Sequence, residues 1–253
     1  MRLTVVGCSG SFPGPDSPAS CYLVEAPYDG RAFRLVLDLG NGAFGHLQRY
    51  LDPLQVDAVA LTHLHADHCL DLASMYVYRT YHPDAPYPHV DVFGPATTAA
   101  RMAQVYDMPE QPGMTSTFDF HTWQVGLPVQ VGPFELLVAR VAHPVETYAI
   151  RVSNDGRVLA YSGDTGPCEQ LVSVAAGADV LLAEASFLES GGNPPDLHLT
   201  GRQAAEHAAR AGAGRLLLTH IPPWHDRAAV LAEAEPAFPG AVELVASGST
   251  YDI

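Results

Sequence analysis

Four potential metal ligands, His63, His65, Asp67 and His68, fall within six residues directly after the apolar run 58–61. The run is short and aliphatic, as a buried strand is. Successive side chains of an extended segment alternate between faces, so His63 and His65 point the same way and can share one cation. A turn into a helix near Asp67 swings Asp67 and His68 toward a second position. Packing offers no reason for four such side chains at a strand end, although a solvated polar turn before a helix is the competing account. Further candidates follow other apolar runs: His143 after 134–141, Asp164 after 158–161, and His220 after 216–219. Each alone reads as a loop histidine or a turn former. Together with the first motif they supply a full set for two metals, which requires distant strand ends to converge in space.

The rest of the chain fits one α/β domain spanning residues 1–253. Hydrophobic residues make up 47% and charged residues 16% of the 253, which excludes a disordered chain and allows a sizeable core. Runs rich in Val, Leu and Ile predict strands at 3–6, 21–25, 33–37, 58–61, 90–93, 134–141, 148–152, 158–161, 180–183, 216–219 and 242–246. Helical spacing predicts helices at 43–51, 70–78, 97–106, 201–211 and 226–235. Thr200 and Gln203 form a capping-box pattern ahead of the fourth. The order, mostly β first and mixed afterwards, suits two sheets flanked by helices better than a doubly wound parallel sheet. No apolar run reaches the roughly 18 residues that cross a bilayer. The N-terminus reads as a strand entering a glycine turn rather than as a signal peptide. Cys8, Cys21, Cys69 and Cys168 form no CxxC pair, so free thiols in the cytoplasm are expected.

All thirteen basic residues are arginine, against 28 acidic ones, for a formal charge of −15. Such a chain repels an extended nucleic acid. A small anion can still bind where cations reverse the sign locally. Residues 7–20, with four serines and three glycines, form a second candidate element. Glycine lets backbone N–H groups approach a phosphate, and Ser9, Ser11 and Ser20 carry hydroxyl donors; a plain strand-to-strand loop explains the stretch equally well. Among Phe187, Trp224, Tyr106 and Trp123, Trp224 is the best candidate to stack on a substrate ring, being four residues beyond His220. His46, His82, His89, His121, His207 and His225 have no ligand-like context and are expected on the surface or in helices.

The HxHxDH run, the later histidine, Gly163-Asp164-Thr165 and Thr219-His220 resemble the metallo-β-lactamase superfamily. Asp196-Leu197-His198-Leu199-Thr200-Gly201, followed by a helix, is similar to its ribonuclease Z-like branch. Gly7-Cys8-Ser9-Gly10-Ser11, Ala142-His143-Pro144 and Leu218-Thr219-His220-Ile221-Pro222-Pro223-Trp224 look most like the actinobacterial cyclic-AMP phosphodiesterases of this fold. The resemblance implies a four-layer αββα sandwich with His63, His65 and His143 on one metal, Asp67, His68 and His220 on the other, and Asp164 bridging. Zinc suits these donors, and manganese or iron is compatible with them. It implies a hydrolase of 3′,5′-cyclic nucleotides, cyclic AMP foremost, working by attack of a hydroxide held between the metals. Asp67 would orient or deprotonate that nucleophile and His198 protonate the leaving oxygen; alternatively His198 only orients Thr200. Relatives of this kind imply a homodimer. Ribonuclease Z enzymes carry a long arm between the third histidine and the bridging aspartate. Here His143 and Asp164 are 21 positions apart with an Asn154-Asp155-Gly156 turn between them, which leaves no room for it. The other readings are a ribonuclease Z-like or other small phosphodiester or ester hydrolase on this scaffold, and a non-catalytic metal-binding protein.

Overall fold

The computed structural model describes all 253 residues and contains two mixed sheets of seven strands each. The first holds β1 (Arg2–Gly7), β2 (Cys21–Tyr28), β3 (Arg31–Leu37), β4 (Ala58–Ala60), β5 (Val90–Gly94), β6 (Phe118–Thr122) and β14 (Thr250–Asp252), in the order β14-β1-β2-β3-β4-β5-β6. The second holds β7 (Val129–Val131), β8 (Phe134–Arg140), β9 (Tyr148–Asn154), β10 (Arg157–Tyr161), β11 (Val180–Glu184), β12 (Arg215–Thr219) and β13 (Ala241–Leu244), in the order β13-β12-β11-β10-β9-β8-β7. Helices α1 (Ala43–Leu47), α2 (Ala66–Cys69), α3 (Leu72–Tyr81) and α4 (Thr98–Val105) fall among the strands of the first sheet. Helices α5 (Glu169–Val174), α6 (Gly201–Ala211) and α7 (Arg227–Ala234) fall among those of the second.

The period-two alternation of the strands builds the layers. On β1 to β3, Leu3, Val5, Tyr22, Val24, Leu35 and Leu37 face inward to a cluster shared with Phe134, Ile150, Leu159 and Leu182 of the other sheet. The intervening Val6, Leu23 and Val36 join Phe44, Leu72 and Met75 under the first helical layer. Ala149, Ala160, Leu181 and Leu218 likewise pack outward against Leu171, Ala205, Ala208 and Val230 of the second helical layer. Helix, sheet, sheet and helix follow one another through the molecule, as expected for an αββα sandwich. None of the helices is long and apolar enough to cross a membrane.

Strand direction explains where the site lies. β3, β4, β5 and β6 are mutually parallel, and so are β10, β11, β12 and β13. β8 is antiparallel to β9 and β9 to β10, so β8 regains the direction of β10. By the same two steps β1 regains the direction of β3. The segments leaving β1, β3, β4, β8, β10, β11 and β12 therefore gather at common strand ends, the usual place for a site in an α/β protein.

Some expected elements differ. The helix expected over 43–51 stops at Leu47, and turns bring Leu51 into the core instead. The helix expected over 70–78 becomes α3, shifted two or three residues onward because α2 first closes a short turn at Ala66–Cys69. The strands β6, β7 and β14 and the helix α5 were not expected. β6 reads Phe-Asp-Phe-His-Thr at a sheet edge, and β7 and β14 have three residues each, too short to show a period.

Candidate metal centre

His63 leaves the end of β4, and His65 caps the N-terminus of α2. The two ligand-bearing residues that follow, Asp67 and His68, lie in that four-residue helix. The strand-to-helix turn thus does what the spacing suggested. His63, His65, His143 and Asp164 place one ligand atom each within 4.8 Å of one another, and so do Asp67, His68, Asp164 and His220. Asp164 belongs to both groups. Its Oδ2 lies 3.8 Å from His63 Nε2, and its Oδ1 lies 3.2 Å from His68 Nε2 and 3.5 Å from His220 Nε2. This Oδ1 is buried and has no hydrogen-bond partner in the protein.

The outer partners of the imidazoles decide what the inner nitrogens offer. Thr62 Oγ1 donates to Asp38 at 2.9 Å, so its proton is committed and His63 Nδ1 must donate to it at 3.0 Å. His143 Nδ1 donates to the Leu197 carbonyl at 2.9 Å. The Ser186 hydroxyl donates to the His220 carbonyl at 2.7 Å, so His220 Nδ1 donates to Ser186 Oγ at 2.8 Å. His68 Nδ1 donates to Asp38 Oδ2 at 2.7 Å. Every one of these rings is held with Nε2 turned into the site, as metal-binding histidines are.

In the first group, His65 Nδ1 lies 3.1 Å from His63 Nε2 and 3.3 Å from His143 Nε2. One proton on His65 can satisfy only one of these contacts. Burial lowers the pKa of all three rings, which favours neutral imidazoles over imidazolium ions. Three lone-pair nitrogens and a carboxylate oxygen converge where a cation resolves the repulsion. In the second group, burial pulls the His68 pKa down, but the carboxylates of Asp164, Asp38 and Asp67 outweigh it and hold it well above the ordinary value. Burial opposes ionisation of Asp164 and Asp67 as well, yet the neighbouring His220 and His68 hold both well below the usual carboxylate range. These carboxylates demand a positive charge beside His68 Nε2, which a proton or a metal ion can supply. His220 Nε2 lies 3.1 Å from both His68 Nε2 and Asp67 Oδ2.

His198 sits beside the pair, with Nδ1 2.8 Å from Glu184 Oε1 and 4.0 Å from Asp164 Oδ2. Burial lowers its pKa, but the Glu184 carboxylate outweighs burial and pushes it up to about 9. Glu184 is fully buried at the end of β11 and also accepts the Thr165 N–H at 2.8 Å. The edge of Phe187 packs on the His198 ring at 5.0 Å between centroids. Sequence reasoning missed Glu184, Asp38 and Ser186. Glu184 and Asp38 end or directly follow apolar runs entering this site, and Ser186 comes two residues after one, close to the signal that marked Asp164 and His220.

The 7–20 loop enters the site differently from expectation. Ser20 is fully buried beneath α2, where its N–H donates to the Asp67 carbonyl at 3.2 Å, so its hydroxyl cannot meet a substrate. Ser9 is also buried, and its hydroxyl braces the loop by donating to the Phe12 carbonyl at 2.7 Å. Ser11 is exposed, and its backbone N–H points to His220 Nε2 at 3.4 Å. Its φ of 64° is the left-handed conformation that turns the N–H inward. Gly10 permits this approach, since a Cβ there would meet the His220 carbonyl oxygen at 2.2 Å. Trp224 is 63% exposed beside this loop, packed on Phe12 at 4.9 Å. Trp123 is buried and donates to the Leu61 carbonyl at 2.8 Å, which takes it out of contention as a stacking surface. Tyr106 packs on Tyr76. Among the remaining histidines, His207 lies buried in α6 between the Gln203 carbonyl and the Cys168 N–H, and His82, His89 and His121 pair with surface aspartates.

Residues 34–221 match the β-lactamase superfamily domain. An uncharacterized protein of Mycobacterium tuberculosis is 46% identical over 256 residues, covering 100% of this chain and 92% of its own. The probable metallo-hydrolase YhfI of Bacillus subtilis is 27% identical over the whole of both chains. Its crystal structure, described as a metallo-β-lactamase fold protein, superposes with a TM-score of 0.87 at 25% identity and 99% coverage of each chain. The ribonuclease Z of Myxococcus xanthus is 26% identical, covering 100% of this chain and 98% of its own.

Proposed function

The chain belongs to the metallo-β-lactamase superfamily of metal-dependent hydrolases, and from that premise we propose that it is a phosphodiesterase of small nucleotides, with 3′,5′-cyclic AMP its foremost substrate. The observation that carries the reading is the convergence of imidazole nitrogens from two groups of histidines on one shared, buried carboxylate. His63, His65, His143 and Asp164 would hold one divalent cation, and Asp67, His68, His220 and Asp164 a second. Nitrogen and oxygen donors of this kind suit zinc, and manganese or iron share them. Bound there, such cations make a water acidic enough to attack at neutral pH and neutralise phosphoryl oxygens.

The protein's own groups complete the chemistry. Asp67 Oδ2, 3.1 Å from His220 Nε2, is placed to orient the attacking water or take its proton. His198 is held by Glu184 through Nδ1, which leaves Nε2 to give its proton to the departing ribose 3′-oxygen. The Ser11 N–H is a donor for a phosphoryl oxygen once His220 Nε2 is engaged by a cation. Trp224 offers an exposed ring beside it.

A phosphodiester is supported by the ribonuclease Z relative. A small one is supported by the β9–β10 hairpin, whose 154–157 turn leaves no inserted arm between His143 and Asp164, and by the charge of −15. Four free thiols support a cytoplasmic setting, and the exposed Val77, Tyr81 and Tyr106 support a homodimer through α3 and α4. Metal-reconstituted protein should be assayed on cyclic AMP, bis(p-nitrophenyl) phosphate, precursor transfer RNA and a lactone. Turnover of cyclic AMP is expected. Brisk activity on another substrate without it would move the assignment within the superfamily, and full metal without hydrolysis of any would make the protein a metal-binding one.

A further inference from the structure

Beside His65 the metal centre borders a cleft of about 590 Å3. One wall is α4, where Arg101 and Gln104 recur at helical spacing on the open face while Met102 and Ala103 are buried in the core. Leu64 and Val145, neighbours in sequence of the ligand-bearing segments, add apolar surface. Two carboxylates also line the cleft, and both are engaged. Glu146 accepts the Tyr148 hydroxyl at 2.5 Å, and Glu110 accepts the Gln104 amide at 3.2 Å. Arg101 is exposed and is not among the arginines that form ion pairs. It is therefore the uncommitted charge in this cleft, a planar fork of donors in a chain otherwise short of cations.

We propose that this cleft receives the nucleoside of the substrate and that Arg101 is the residue that recognises it. The inference rests on the phosphodiesterase reading above and names the group that selects the substrate. With phosphorus at the metal centre, an esterified group can extend past His65 into the cleft. The apolar wall suits a flat ring, and the guanidinium suits the lone pairs of ring nitrogens and ribose oxygens. Glu110 and Glu146 disfavour a second phosphate, so the ligand is a nucleoside monophosphate or its cyclic diester rather than a polyphosphate.

Calorimetry with zinc-loaded protein tests this, with adenosine 5′-monophosphate and inorganic phosphate as the two probes. The monophosphate should bind at least about tenfold more tightly than phosphate. Arg101→Met, which keeps the aliphatic stem of an exposed residue, should weaken the monophosphate about tenfold and leave phosphate within about twofold. Gln104→Leu on the same face should act in the same direction. Equal weakening of both probes would make Arg101 a general anion clamp and overturn the proposal. So would a monophosphate that binds no better than phosphate, or one indifferent to both substitutions. Turnover is read separately. Nucleotide binding that depends on Arg101, without hydrolysis of any phosphodiester, would sink the functional reading and leave the cleft assignment standing. Hydrolysis with nucleotide binding indifferent to Arg101 would do the reverse.

Discussion

Replacing Asp38 by Asn tests whether the partners behind the metal ligands set their state. Asp38 is fully buried and follows β3 with a φ of 54°. Its Oδ1 accepts the Thr62 N–H at 2.7 Å, and its Oδ2 accepts the Thr62 hydroxyl at 2.9 Å, His68 Nδ1 at 2.7 Å and the Tyr161 hydroxyl at 2.8 Å. An amide in its better orientation keeps the oxygen toward the last three and turns its NH2 group against the Thr62 N–H. Two buried donors then face each other, at about 1–3 kcal/mol each, so the metal-free variant should lose roughly 2–6 kcal/mol. That is a large part of the stability of a typical domain, about 5–15 kcal/mol, but need not unfold it. Losing the charge behind His68 should also weaken metal binding about 10–100-fold. Urea unfolding in EDTA reads the first quantity, and zinc competition against a chelator reads the second. Tyr161→Phe, which removes one donor and strands no acceptor-poor group, is the mild control. If Asp38→Asn bound zinc within twofold of the parent, the tautomer argument for His68 and His63 would be wrong.

The other expectations are read more quickly. His198→Ala should lower kcat by about 10²–10⁴-fold while zinc content by elemental analysis stays full; lost zinc would make His198 a ligand. In the metal-free protein His198 titrates above its ordinary value, so its stabilising pairing with Glu184 is fully present below about pH 6.5 and is lost as pH rises through about 9. Glu184→Gln should flatten that part of the stability profile, measured by thermal midpoints, and an unchanged slope would show that the pair is not coupled. Gly10→Ala puts a Cβ 2.2 Å from the His220 carbonyl oxygen. It should cost about 1–3 kcal/mol and reduce zinc affinity; a neutral result would mean the 7–20 loop moves freely against His220.

Much of this site could be read in the sequence because each ligand is a polar residue placed where an aliphatic run stops. The period of two in β1 to β3 was equally legible, since one face meets the other sheet and the opposite face meets helices, so both are apolar. What could not be read was direction. Only the pairings β8 with β9 and β9 with β10 show that His143 and Asp164 leave their strands on the same side. Ser20 illustrates the same gap. Its position in a Ser/Gly-rich loop suggests a ligand-facing hydroxyl, but it directly precedes β2 and is packed under α2, facts that depend on long-range pairing. Glu184 was overlooked because a carboxylate after Val-Leu-Leu-Ala looks like an ordinary strand end until the chain from 185 to 198 returns His198 to it.

The same geometry explains why a chain of net charge −15 can keep His63, His65 and His143 neutral at one point. At four of the five imidazoles the Nδ1 proton is drawn outward, by Thr62 backed by Asp38, by the Leu197 carbonyl, by Ser186 and by Asp38 itself. Burial then penalises a second proton on His63 and His143. At His63 and His143 the inner nitrogens are left with lone pairs, while Asp164 and Asp67 are kept ionised beside His68 and call for a positive charge there. Negative charge and unshared pairs are thus concentrated on the inside of a shell in which the Nδ1 protons of His63, His68, His143 and His220 point away. A divalent cation relieves that arrangement without disturbing a single outer hydrogen bond, whereas a proton relieves it only at His68. Preference for metal over protons therefore follows from the orientation of the outer partners, which is why Asp38, whose oxygens are already filled by Thr62, His68 and Tyr161, should matter to binding.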